Sequence, residues 1–358
     1  MPLNTHRTCK TLVLALVFLA TRTVRAGTEV GANGGESVRA RWLMGTVLEV
    51  RLPGAGTDLD VSFEAAFRAV AEVEEAASLW KSGTELERVH ARAAAGATTV
   101  VSATLGELVA EALRVSELTG GAFSPAVGAL VAAWDLRGAG RWPSLEERQH
   151  AVARCRAGGV RYDPATRELG LDPGILLDLD GIAKGFALDR AAEALRARGV
   201  DDALLNFGGQ ILVIGPPAGR PPREAHVVSP FDASSPVLSV RLRDASLSTS
   251  SSSERARIVD GREAGHLLDP RTGELVFAAG SVTVLASSGA LADALSTAWA
   301  VEGPAGFRRA GSEGPFRRSG EVAFVLPAAA GELETIAEAP FVRLRSPQRG
   351  PEAAAIRP

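Results

Sequence analysis

The chain is short of cysteine, of aromatic residues and of net charge, and each shortage excludes something. Only Cys9 and Cys155 are present. Cys9 stands before the apolar run 12–20, whereas a lipid-attachment cysteine would have to follow it, so lipidation is disfavoured. Without that N-terminal segment Cys155 is alone, which leaves no internal disulfide and no thiolate metal cluster; a small buried hydrophobe is its simplest role. Aromatic residues make up 5% of the chain, too few for a row of stacking platforms on single-stranded nucleic acid. A net charge of -3 supplies no basic excess for a nucleic-acid partner. No apolar run reaches the roughly 20 residues that cross a bilayer. The run 12–20 follows His6, Arg7 and Lys10 and precedes Val24-Arg25-Ala26, which predicts an export signal over 1–26. The fingerprints G-x-G-x-x-G, G-x-x-x-x-G-K-[ST], H-E-x-x-H and G-x-S-x-G are absent too, so the dinucleotide-fold, NTPase, zinc-protease and hydrolase readings lose their simplest support.

What is present describes an ordinary soluble globule. The 358 residues, 46% apolar and 23% charged, are enough for a large core. Residues 27–41 are glycine-rich and aperiodic and predict a disordered leader. A strand is expected over 42–52, stopped by Pro53-Gly54. Helices are expected over 59–79, from Thr84 onward, over 102–119 with Gly120-Gly121 as its stop, over 182–198, and over 289–301 with Ser288 as cap. Residues 137–144 form a Gly/Arg/Pro loop. Strands are expected within 158–171, over 174–179, over 203–215 with a glycine bulge, and over 224–229, 237–242, 281–286 and 321–326. The serine tract 246–253 reads as a flexible loop, with phosphate binding by 250–253 as the alternative, 266–274 as a turn, and 346–358 as a disordered tail. No repeat or linker divides 42–345. Strands and helices mix without βαβ alternation, so the fold class is α+β.

Three constellations could carry chemistry. Asp178, Gly181 and Lys184 lie where a strand turns into a helix, which places free N–H groups, a helix N-terminus and a cation at one spot suited to phosphate oxygen. A tight connection with a solvated lysine explains the same residues. Asp293 and Thr297, four apart on one helix face, offer a carboxylate and a hydroxyl, oxygen donors that suit Mg²⁺ once a backbone carbonyl joins them. An aspartate favoured by the helix dipole is the alternative. His266, ahead of Asp269-Pro270-Arg271-Thr272-Gly273, is a proton acceptor at neutral pH or a hydrogen-bonded turn histidine. Met44-Gly45-Thr46 and Trp80 are open between core packing and a stacking surface.

In chain order, Met44-Gly45-Thr46, Thr84-Glu85-Leu86-Glu87-Arg88-Val89, Phe123-Ser124-Pro125-Ala126-Val127-Gly128, Leu177 to Ala187, Asn206-Phe207-Gly208-Gly209, Ser248-Thr249-Ser250, His266 to Gly273 and Ala292 to Ala298 together resemble the ApbE family of FAD:protein FMN transferases. The resemblance runs from about 42 to 303 and implies a T-fold-like α+β core, FAD as substrate and Mg²⁺ as cofactor. It also implies transfer of FMN to a threonine or serine hydroxyl of an acceptor flavoprotein, with AMP released. That acceptor is expected to be exported or membrane-bound, a redox-complex subunit being one candidate, and the enzyme itself periplasmic, or membrane-associated if the signal is retained. By the same resemblance, Asp293, Thr297 and the Gly181 carbonyl fall on metal ligands. Met44, Trp80, Gly121, Ala122, Phe123, Asp178, Lys184 and Leu268 fall on or near FAD contacts, and Lys184 and His266 take the catalytic roles. The chain departs from the family at Ser124, where aspartate is usual, at Asp180 and Ser251, where glycine is usual or frequent, and at His90, where asparagine is usual. An FAD pyrophosphatase and a non-catalytic FAD carrier are the alternative activities.

Overall fold

The computed structural model describes residues 28–30, 35–54, 57–251, 257–259, 262–276, 280–310, 317–328, 332–337 and 339–344. The expected export signal and tail lie outside them. Eight strands form one antiparallel sheet: β1 (Glu36–Leu43), β2 (Thr46–Pro53), β3 (Ala203–Phe207), β4 (Gln210–Ile214), β5 (Ala245–Ser251), β6 (Ser281–Ala286), β7 (Glu321–Pro327) and β8 (Leu333–Ala337). Their order across the sheet is their order in the chain, so the fold is a meander into which other elements are inserted. Between β2 and β3 come helices α1 (Thr57–Ala77), α2 (Glu85–Ala94), α3 (Ala103–Leu118), α4 (Gly128–Ala133), α5 (Leu145–Ala153) and α6 (Asp180–Arg196). Helix α7 (Gly289–Arg309) joins β6 to β7 and is kinked at Gly303-Pro304. The α+β architecture is the one expected from the sequence.

Both faces of the sheet are covered, and this explains why its middle strands lack an apolar/polar alternation. Helices α1, α3, α6 and α7 cover one face, where Leu48, Val50, Phe207, Val282 and Val284 join the main core. The ribbon Arg223–Ser229 with Asp232–Leu242 covers the other, against Leu204, Ile211, Val213, Leu247 and Val325.

Several expectations need correction. Residues 42–52 are not one strand. Met44 and Gly45, at φ 46° and 75°, make a two-residue turn between β1 and β2, the backbone twist a tight hairpin favours. The rest of β1, and a short strand Thr28–Val30, fall in the stretch expected to be disordered. Likewise 203–215 is a hairpin: Gly208 and Gly209 turn it, and Asn206 Oδ1 accepts the Gly209 N–H at 3.0 Å. Residues 174–179 form no strand. The serine tract, as far as Ser251, is β5, at the centre of the sheet. Its hydroxyls are bonded within the protein: Ser246 Oγ donates to the Ile211 carbonyl at 2.8 Å, and the Thr249 and Thr283 hydroxyls lie 2.9 Å apart. Helix α5, not expected from periodicity, begins in a full capping box between Ser144 and Glu147.

Candidate functional site

The site forms where α6 and α7 cross. Gly185 and Gly289 meet there so closely that a Cβ on either would overlap the backbone carbonyl of the other. This contact brings Asp293, one turn into α7, over the start of α6. Its buried carboxylate accepts the Gly185 N–H at 3.0 Å and lies 3.7 Å from Lys184 Nζ. In a regular helix the Gly185 N–H would answer the Gly181 carbonyl four residues earlier, so Asp293 competes with that carbonyl for one hydrogen. Thr297 Oγ1 donates to the Asp293 carbonyl at 3.2 Å. With its only proton engaged, the hydroxyl keeps its lone pairs for another partner. A Cβ on Gly181 would touch Thr297 Oγ1 at 3.4 Å and Phe123 Cε2 at 3.3 Å, so Gly181, Thr297 and Phe123 are neighbours.

The segment leading into α6 is tied down on several sides. Leu177 N–H donates to His90 Nε2 at 2.9 Å, and Asp178 N–H to the Pro125 carbonyl at 2.8 Å. Burial, helped by the Arg137 charge, lowers the His90 pKa, which keeps its Nε2 an acceptor. Asp178 is buried, and burial together with the neighbouring Asp180 charge pushes its carboxyl up to about 6, against the opposing pull of Arg137. Arg137 donates to Asp178 Oδ2 at 2.7 Å, and Asp180 Oδ2 accepts the Trp80 Nε1–H at 2.9 Å.

The structure therefore brings together Trp80, Phe123, Asp178, Gly181, Lys184, Asp293 and Thr297, from four separate stretches of chain. Gly121 is next to the Arg271 side chain of the 266–274 turn. Buried Ala122 joins the main core, while Leu268 packs in a separate apolar cluster with Leu130 and Trp134. His266 is half-buried at the start of the turn. Met44 belongs to the β1–β2 turn, its N–H donating to Glu74 Oε1 at 2.9 Å. Ser124 and Ser251, two of the departures, have structural partners: Ser124 Oγ donates to the Cys155 carbonyl at 2.7 Å and Ser251 Oγ to the Gly280 carbonyl at 3.1 Å. Arg137 was missed by sequence reasoning, being one arginine in an irregular loop. A cavity of about 360 Å³ lies further along α7, lined by residues such as Ser250, Val301, Pro304 and Phe324, and none of the expected FAD contacts lines it.

The donor set fits a hard divalent cation. Among the described residues no group of three or more His, Cys, Asp or Glu is placed to hold a metal. A metal at α6–α7 would rely on the Asp293 carboxylate, the Thr297 hydroxyl and the Gly181 carbonyl, which is oxygen chemistry of the kind Mg²⁺ accepts while keeping part of its water.

Residues 44–314 match the ApbE family. The FAD:protein FMN transferase of Rhodobacter capsulatus is 35% identical over 271 residues, covering 73% of this chain and 50% of that protein, so the match spans about half of that relative's length. The enzyme of the same name from Treponema pallidum is 33% identical over 302 residues, 76% of this chain and 82% of its own. Among solved structures, the ApbE protein of Thermotoga maritima superposes with a TM-score of 0.75 at 27% identity, over 84% of this chain and 96% of that one. The apo flavinyl transferase ApbE of Pseudomonas stutzeri gives 0.73 at 27% identity, over 85% and 95%.

Proposed function

Because the chain belongs to the ApbE family, we propose that it is a transferase that moves FMN from FAD to an acceptor flavoprotein. In the reaction we infer, a threonine or serine hydroxyl of the acceptor attacks the phosphorus of the FMN half. A new phosphoester bond forms, the P–O bond to the AMP half breaks, and AMP departs with the displaced oxygen. The acceptor is an exported or membrane-bound flavoprotein, and the enzyme works in the periplasm.

The observation that supports this most directly is the α6–α7 crossing. It sets the oxygens of Asp293 and Thr297 beside Gly181, Lys184 and the N-terminus of α6. Lys184 and the positive end of the α6 dipole offset the charge that gathers on the phosphoryl oxygens. Mg²⁺, when bound by Asp293, Thr297 and the Gly181 carbonyl, would neutralise the pyrophosphate and help align it. Trp80, Gly121, Ala122, Phe123 and Asp178, with Met44 and Leu268 from neighbouring loops, take the organic parts of FAD. His266 accepts the proton of the attacking hydroxyl.

Asp293→Ala tests the assignment. It should abolish covalent flavin labelling of exported flavoproteins, read as fluorescence on a denaturing gel after incubation with FAD and Mg²⁺. Wild-type labelling by that variant would remove Asp293 from the metal site. Release of FMN and AMP without any acceptor would instead point to pyrophosphatase activity.

A further inference from the structure

Arg137 belongs to none of the motifs that carry the family resemblance, yet its guanidinium joins two segments of the site. Nη2 lies 2.7 Å from Asp178 Oδ2 and 3.4 Å from Asp180 Oδ2. The guanidinium carbon stands 5.4 Å from the centroid of the Trp80 ring. Asp180 in turn holds the edge of that ring through the indole N–H at 2.9 Å. Trp80 is 63% exposed, so this is a large aromatic surface in water, supported by a cation and pinned along one edge. Arg137 Nε is buried and, among the described residues, has no hydrogen-bond partner.

We propose that Arg137 is a positioning residue that registers the Trp80 ring against the Gly181–Lys184 turn, so that one flat ring of FAD and its pyrophosphate are held at the same time. The proposal rests on the FAD-dependent reading above. Charge indicates which part of FAD goes where. Two carboxylates already surround the Arg137 guanidinium, which leaves this end of the site no positive excess for a phosphate; a neutral heteroaromatic face suits it better. Lysine cannot replace the arginine, because a compact ammonium does not present a planar face to the indole while it meets the carboxylates.

Calorimetric titration of the full chain with FAD, FMN and AMP separately, without acceptor, tests the proposal in the wild type, Arg137→Gln and Arg137→Lys. Both variants should bind FAD about tenfold or more weakly, equivalent to about 1.4 kcal/mol. FMN and AMP, each free to settle on its own half of the site, should change by less than about threefold, a difference that ordinary loss of one contact would not produce. Equal weakening of all three ligands, with a matching drop in melting temperature, would mean that Arg137 supports the fold and would overturn the proposal. Unchanged FAD affinity in Arg137→Gln would overturn it as well. A wild type that binds no FAD at all would overturn the FAD-dependent reading itself, and the proposal with it.

Discussion

Gly185 sits inside a helix, where alanine would ordinarily be more favourable by about 1 kcal/mol. Here the sign should reverse. A methyl group at that position meets the Gly289 carbonyl and the Ala290 nitrogen, both main-chain atoms that cannot rotate away. The two helices would have to separate, and Asp293 would lose its bond from the Gly185 N–H. Gly185→Ala should therefore destabilise the protein by about 2–4 kcal/mol, as overpacking against backbone does. Urea unfolding should show this as a lower midpoint at unchanged slope, and a midpoint at or above that of the wild type would contradict the close-crossing account. Gly181 and the side chains at this crossing were legible because they lie in short motifs, Asp178 to Lys184 in one and Asp293 and Thr297 at helical spacing in another; the closeness of Gly185 to Gly289 was not. Nor was Arg137. Its partners Asp178 and Asp180 are 41 and 43 residues away, and no local pattern distinguishes an arginine that will reach them from one that faces water.

Among the elements, α7 shows how two kinds of information differ. Its Ser288 cap is local and was legible; Ser288 Oγ accepts the Leu291 N–H at 3.2 Å. Its second cap comes from α6, where the Asp189 carboxylate accepts the Gly289 and Ala290 N–H groups at 2.6 and 2.8 Å. Burial pushes the Asp189 carboxyl up to about 6 despite those two bonds. A carboxyl raised in the folded state stabilises the fold fully below its unfolded value of 3.8, and that stability is lost as the pH rises through about 6. From this group alone, wild-type stability should fall by up to about 3 kcal/mol over that window. Asp189→Asn has no proton to lose there, so the stability difference between wild type and variant should vary with pH across the window. A difference that stays constant would show that Asp189 does not titrate there. The hairpins were less legible for a related reason. Met44 is not a residue that announces a turn, and Gly208-Gly209 serves a bulge as well as it serves a turn. The serine tract misled because its polarity is offset by partners in other elements, among them Ser296 of α7, whose Oγ lies 2.8 Å from Ser250 Oγ.

At the scale of the whole molecule, the α+β class followed from mixed strand and helix signals, but the meander order did not. Glu49 pairs with Asn206 across six inserted helices, and only tertiary packing decides that β2 and β3 are neighbours. One ionic cluster fastens three distant parts of this arrangement. Arg223, at the start of the covering ribbon, is almost wholly buried; its Nη1 reaches Glu36 Oε1 at 2.6 Å and its Nη2 reaches Asp202 Oδ1 at 2.7 Å. Glu36 opens the edge strand β1, in the stretch whose composition resembled a leader, and Asp202 precedes β3. Arg223→Met would leave Glu36 buried without a cation and Asp202 with only the exposed Arg220, 3.6 Å away, at a cost of about 3–5 kcal/mol. The loss should be local before it is global: amide exchange should accelerate in β1 and in the ribbon while α6 and α7 stay protected. Replacing all three with apolar residues, as Glu36→Leu, Asp202→Leu and Arg223→Met together, should recover much of that stability, because a buried ion triad seldom outperforms well-packed hydrocarbon. A triple variant as unstable as Arg223→Met alone would show that the cluster holds β1 through directed hydrogen bonds that hydrocarbon cannot supply. The order of the edge strand would then depend on those bonds and not on charge balance.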